Sequence, residues 1–145
     1  MTKNILVPYD FTNFGDTAFE KAMEIAKKFD SQLTLLTVIG SDVDTTGMTY
    51  ASAQEDQDEA ENKAKKGLTQ VKNSNQYDNV DILVKIIHNS SVIDGICAFA
   101  DKNHIDLIVI GSHGRSGFKK LVLGSVAFGV ATKANCPVLI AKPLK

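Results

Sequence analysis

Five short runs of mostly apolar residues constrain this chain more than anything else in it. They are Ile5-Leu6-Val7, Leu33 to Ile39, Val80 to Ile87, Asp106 to Ile110 and Pro137-Val138-Leu139-Ile140. A strand that is apolar at consecutive positions is covered on both faces, the condition of a parallel sheet packed between helices. The intervening segments carry the helical period. Ala18, Ala22, Ile25, Ala26 and Phe29 fall on one face of an amphipathic helix. Ser52-Ala53-Gln54-Glu55 has the spacing of a capping box and predicts a helix start at that point. Acids from Glu55 to Glu61 precede lysines from Lys63 to Lys72, the order the helix dipole favours. Ser91-Val92-Ile93-Asp94 opens a further helix through Ile96, Phe99 and Ala100, and Leu121 to Ala134 reads partly as helix. Strand and helix therefore alternate throughout, which predicts βαβ units in an α/β fold. Ser41 to Tyr50 is polar and reads as a loop; it follows the carboxyl end of the second strand, where a lid over a ligand would lie.

Bulk properties narrow the function classes. A chain of 145 residues fits one domain, residues 1–145, and shows no linker or repeat. At 43% hydrophobic residues it can fill a core, and a net charge of -1 gives no basic field for nucleic acid or an anionic membrane. No apolar stretch is long enough to span a bilayer, and the first apolar run is too short for a secretion signal. Cys97 and Cys136 match no metal or redox spacing and are expected to be reduced, buried thiols of a cytoplasmic protein. Asn89-Ser90-Ser91 fits a glycosylation pattern that has no meaning in that compartment.

One loop carries the chemistry. Gly111-Ser112-His113-Gly114 follows the fourth apolar run directly, and Gly124-Ser125 comes after nine intervening residues, where a helix can begin. Glycines let backbone N–H groups approach an anion without a Cβ in the way. Gly124 and Ser125 at a helix start would add unpaired N–H donors, the positive end of the dipole and a hydroxyl. Arg115, Lys119 and Lys120 in the span supply charge. The plainer reading, a turn with glycine for geometry only, is outweighed by four glycines (Gly111, Gly114, Gly117, Gly124) between a strand and a helix. The loop is not a P-loop, since no Gly-Lys-Ser/Thr follows, and not the dinucleotide fingerprint, whose first two glycines are one residue apart. His113 lies where it can reach a phosphate; as a catalyst it is outweighed by the reading of a loop side chain turned to water. Asp10 ends the first strand, where open α/β sheets place ligands. It can accept hydrogen bonds from a ribose or adenine, or cap the turn through Phe11-Thr12-Asn13, and the sequence weighs the two equally.

Asn4-Ile5-Leu6-Val7-Pro8-Tyr9-Asp10, the Gly111/Gly114/Gly124-Ser125 spacing and the ending Cys136-Pro137-Val138-Leu139-Ile140 resemble the universal stress protein family over essentially the whole chain. The resemblance implies a Rossmann-like, open five-stranded parallel sheet of order 3-2-1-4-5. It also implies ATP as ligand, accompanied by Mg2+ or Mn2+ on its phosphates. Pro8, Asp10 and Val38 would surround the adenosine. Ile110, Gly111, Gly114, Gly124, Ser125 and Val126 would flank the ribose and hold the phosphates, with His113 and Arg115 beside them. A homodimer through the last strand, Val138 to Ile140, is implied as well, and would cover an apolar edge. Two departures stand out. His88-Asn89-Ser90-Ser91 replaces a glycine-containing turn, and Phe11-Thr12 stands where many members have Gly-Ser, a substitution expected to change little.

The first functional expectation is an ATP-binding stress-response sensor acting through conformation or partners. A slow ATPase or nucleotidyl transferase is the second, with no carboxylate pair or nucleophile elbow to support it. A nucleotide-free interaction module is the third.

Overall fold

The computed structural model describes residues 2–40, 50–75, 79–113 and 123–143. Strands β1 (Asn4–Pro8), β2 (Gln32–Ile39), β3 (Ile82–His88), β4 (Leu107–Gly111) and β5 (Val138–Ala141) form one parallel sheet in the order β3-β2-β1-β4-β5. Helices α1 (Asn13–Phe29), α2 (Tyr50–Ser74), α3 (Val92–Lys102) and α4 (Ser125–Lys133) connect them.

Consecutive apolar residues serve opposite faces. Ile5, Val7, Leu33, Leu35 and Val109 pack with Ala18, Ala22 and Ala26 of α1 and Leu68 of α2. Leu6, Leu36, Ile108 and Ile110 pack with Ile96 of α3 and Ala127 and Val130 of α4. The side-chain period of two thus splits each run between two apolar layers. Phe29, expected on the buried face of α1, is instead 56% exposed, because the helix ends there and Asp30 turns away in a left-handed conformation, φ 54°.

Other boundaries move for identifiable reasons. Helix α2 begins at Tyr50, so Tyr50 is helical and Ser52 lies inside the helix rather than at its cap. Ala51 and Ala53 are strong helix formers that carry the helix past the box; residues 41–49 of the expected loop lie outside the described residues. Strand β3 starts at Ile82, two residues late, after the left-handed Asn79. The second capping motif is as read: Ser91 caps α3 and its hydroxyl accepts the Asp94 N–H at 3.2 Å.

The amino end of the central strand pair is fastened by Asp106. Its Oδ2 accepts the Lys3 and Asn4 N–H groups, each at 2.9 Å, and these bonds hold its carboxyl below the usual carboxylate range. The two cysteines, far apart in sequence, pack into the same α3/α4 layer as free, half-buried thiols. Burial pushes both thiols up, Cys97 further raised by Asp101 and Asp94.

Candidate functional site

Strand order reverses between β1 and β4, and the two strands part there. Strand β1 pairs with β2 through Pro8↔Leu36, but with β4 only at Ile5↔Leu107 and Leu6↔Ile108. Past that point the carboxyl ends of β1 and β4 are not registered with each other, and this β1–β4 opening is the switch point at which open parallel sheets bind ligands.

On the β1 side the chain is held closely. Tyr9 N–H donates to Leu36 C=O at 2.8 Å, and Tyr9 C=O accepts from Thr37 Oγ1 at 2.9 Å. The buried Tyr9 ring meets the Phe11 ring edge-on, centroids 5.0 Å apart, and its hydroxyl donates to Asp16. Burial, followed by that bond, raises the Tyr9 hydroxyl far above the usual tyrosine value. Asp10 Oδ1 accepts both the Thr12 N–H (3.1 Å) and the Thr12 hydroxyl (2.6 Å), and Thr12 in turn caps α1 by accepting the Gly15 N–H. Through Oδ1, Asp10 thus caps the turn that leads into α1. Pro8 ends β1, and Val38 lies two residues past Leu36, beyond the end of β1, with its side chain in the α3/α4 layer. Phe11 adopts φ 65°, a conformation that a bulky side chain rarely takes. Its substitution for glycine is therefore not the neutral change expected.

On the β4 side the glycines have structural duties. A Cβ on Gly111 would stand 2.6 Å from Phe14 O and 2.8 Å from Phe14 C. The bare face of Gly111 thus admits the backbone of α1. This is a packing duty that the sequence reading did not assign to Gly111. Gly124 caps α4 with extended backbone, and its N–H donates to Ser112 C=O at 2.8 Å. That N–H is consequently not a free donor, which corrects the expectation that Gly124 would add one. What it does is tie the start of α4 to the end of β4. The first backbone bond of α4 runs from Phe128 N–H to Gly124 C=O, and among the described residues no side chain caps the helix. The amides of Ser125, Val126 and Ala127 therefore lead the helix with its positive dipole end. Ser125 is exposed, Val126 is half-buried, and Ile110 is buried under α3 and α4.

His113 does not turn to water as expected. Its ring lies against Phe14 (centroids 5.1 Å apart), and Nδ1 is 3.1 Å from the Ser112 hydroxyl. Nε2 is buried and has no hydrogen-bond partner among the described residues. Gly114, Arg115, Gly117, Lys119 and Lys120 lie outside the described residues. Among the described residues no three His, Cys, Asp or Glu side chains converge on a metal position, and no helix is long and apolar enough to cross a membrane. Sequence reasoning missed Phe14, which contacts both Gly111 and His113, and Asp16, the acceptor of the Tyr9 hydroxyl. Neither lies in a motif; an aromatic and an acid in the first turn of α1 were the only signals.

The sequence profile described as the universal stress protein family matches residues 1–142. A relative, Universal stress protein MJ0531 of Methanocaldococcus jannaschii, is 32% identical over 145 residues, covering 99% of this chain and 84% of its own. The solved structure of UspA from Lactobacillus plantarum superposes with a TM-score of 0.85 at 26% identity, covering 97% of each chain. Two more distant structures share the fold. One, from Arabidopsis thaliana, was solved with AMP bound (TM-score 0.69, 19% identity, 98% of this chain and 92% of that one). The other is a universal stress protein in complex with cAMP (TM-score 0.63, 23% identity, 97% of each). The five-stranded order, the Asp10 and Gly111 strand ends and the profile match agree: the chain belongs to the universal stress protein family.

Proposed function

We propose that this protein binds an adenine nucleotide, ATP, across the opening between β1 and β4, and serves as a stress-response sensor whose conformation or partners change with the bound state. The observation that carries this reading is the start of α4, which no side chain caps among the described residues and which Gly124 ties to Ser112 at the end of β4. First-turn amides, which have no partner within the helix itself, and the positive dipole end suit phosphate. Ser125 adds a hydroxyl, and His113 Nε2 gains a partner it lacks among the described residues. Pro8, Asp10 and Val38 surround the adenosine, and Ile110 flanks the ribose. Gly111, Gly124 and Val126 shape the phosphate side, and Gly114 and Arg115 complete it. AMP and cAMP in two family members support an adenine nucleotide. A Mg2+ or Mn2+ ion would be held through the phosphates, where it would neutralise their charge. In this reading the protein works in the cytoplasm as a single domain and as a homodimer through the outer strand β5, whose apolar edge such pairing covers.

The test is to denature the purified protein and resolve what it releases by anion exchange beside adenine nucleotide standards, then to titrate the stripped protein with ATP. ATP is the expected release. Ser125→Ala should weaken binding by about 2 kcal/mol, roughly 30-fold, the worth of one hydrogen bond to a charged group. Absence of binding at millimolar ATP refutes the reading. A monomer at micromolar concentration by light scattering refutes the dimer.

A further inference from the structure

We propose that Gly67 of α2 is a positioning residue for the β1–β4 opening: it seats the Phe11 ring and so locks the turn that carries Asp10. Gly67 is the one glycine in the 25-residue helix α2, where glycine costs about 1 kcal/mol against alanine. It lies beside the buried Ala64 and Leu68, on the side of α2 that faces the sheet. A Cβ there would stand 2.5 Å from Phe11 Cε1 and 3.0 Å from Cζ. The missing side chain is thus the seat of the ring.

Phe11 needs such a seat. At φ 65° a phenylalanine is strained by roughly 1–2 kcal/mol, and strain of that kind persists only where the surroundings over-determine it. Two surfaces do so here: Gly67 on one side and the Tyr9 ring, edge-on at 5.0 Å, on the other. The ring is 42% exposed, so it is its contacts that hold it in place, not deep burial.

The consequence runs along the chain on both sides of Phe11. Asp10 and Thr12 flank it and are bonded across it; Thr12 caps α1, and Phe14 supports Gly111 and His113. Phe11 is the element with two arrangements, left-handed with its ring on Gly67 or relaxed with the ring displaced. A partner that tilts α2 would shift that choice and with it both walls of the opening. The nucleotide part of this inference rests on the function proposed above; the locking of the turn does not.

The experiment compares wild type, Gly67→Ala, Phe11→Gly and the double variant by ATP affinity and by amide 1H–15N spectra without nucleotide. Glycine accepts φ 65° and has no ring to displace. Gly67→Ala alone should weaken ATP at least 10-fold and move the Thr12 and Gly15 amide signals; in the Phe11→Gly background the same change should do neither. Unchanged affinity and unchanged signals overturn the proposal, as do equal effects in both backgrounds. If Gly67→Ala fails to fold, recovery of folding in the double variant supports the lock, and continued failure overturns it. If wild type binds no ATP, the proposed function falls, and the amide signals alone decide the lock.

Discussion

Replacing Gly111 by alanine should damage the fold before it touches any ligand. The added Cβ would lie 2.6 Å from Phe14 O, 2.8 Å from Phe14 C and 2.9 Å from Phe14 Cβ, against an ordinary contact of 3.4 Å or more. Two of those three atoms are backbone, so no rotamer relieves the overlap. Gly111 itself is held by its pairing with Ala141 in β5. Helix α1 must therefore retreat by about 0.8 Å, the shortfall from ordinary contact. A gap of that size forfeits a quarter to a half of the dispersion attraction across it. The face affected carries Ala18, Phe19, Ala22, Met23 and Ala26, all buried. Overpacking of this kind costs typically 1–3 kcal/mol, and an unyielding backbone neighbour places it near the top, about 3 kcal/mol. For a chain of this size that lowers the melting temperature by roughly 10 °C. Thermal unfolding followed by circular dichroism, with urea midpoints beside it, measures the loss. Gly40→Ala is the control: a Cβ there meets nothing within 4 Å among the described residues, so stability should hold within about 0.5 kcal/mol. Should Gly111→Ala cost no more than the control, the close approach of α1 to β4 is not what requires glycine.

Asp106→Asn should remove the charge-assisted bonds to the Lys3 and Asn4 amides, costing about 1 kcal/mol at pH 7 at this partly solvated site. Because the folded carboxyl is held below its ordinary value, its contribution is full above about pH 4 and is lost as pH falls through the folded value. Urea midpoints of the two proteins should therefore converge in acid, and a gap that persists at pH 2 refutes the assignment. Tyr9 titrates the other way: with its hydroxyl raised, its share of stability is full below about pH 10 and drains above it. In a spectrophotometric titration of the folded protein, one of the three tyrosines should stay neutral past pH 11 and should be missing from the Tyr9→Phe variant. Three tyrosines ionising together near pH 10 would contradict the buried bond to Asp16.

The order of elements was legible because it rests on local signals. Runs such as Leu33 to Ile39, broken only by Thr34 and Thr37, and Asp106 to Ile110, apolar after its first residue, are mostly apolar, and the two-sided burial they imply is found, with Leu35 and Leu36 serving opposite layers. Ser91 and the Gly124-Ser125 helix start were legible for the same reason. The duties of the glycines were not. A sequence shows that residue 111 lacks a Cβ, but not that the vacant side faces Phe14, which is 97 positions away. Gly124 reads as a donor until its N–H is found on Ser112, a bond across the whole glycine loop. Phe11 looked harmless because its strain and its neighbour Gly67, 56 positions on, are invisible to composition and period.

The parting of β1 and β4 bears on how the chain assembles. Strands β1 to β3 and strands β4 and β5 are consecutive blocks, each joined by its own crossover helices, and the blocks meet where β1 lies against β4. That junction joins residues about a hundred positions apart, a closure costing roughly 4 kcal/mol in chain entropy. It rests on two registered pairs, the Asp106 carboxylate, and α1, which leaves β1 to lie on β4 and β5. A ligand lodged in the opening would bridge both blocks, adding to stability in proportion to its occupancy. The gap proposed as the nucleotide site is thus also the seam at which two sequence-distant blocks of the chain meet.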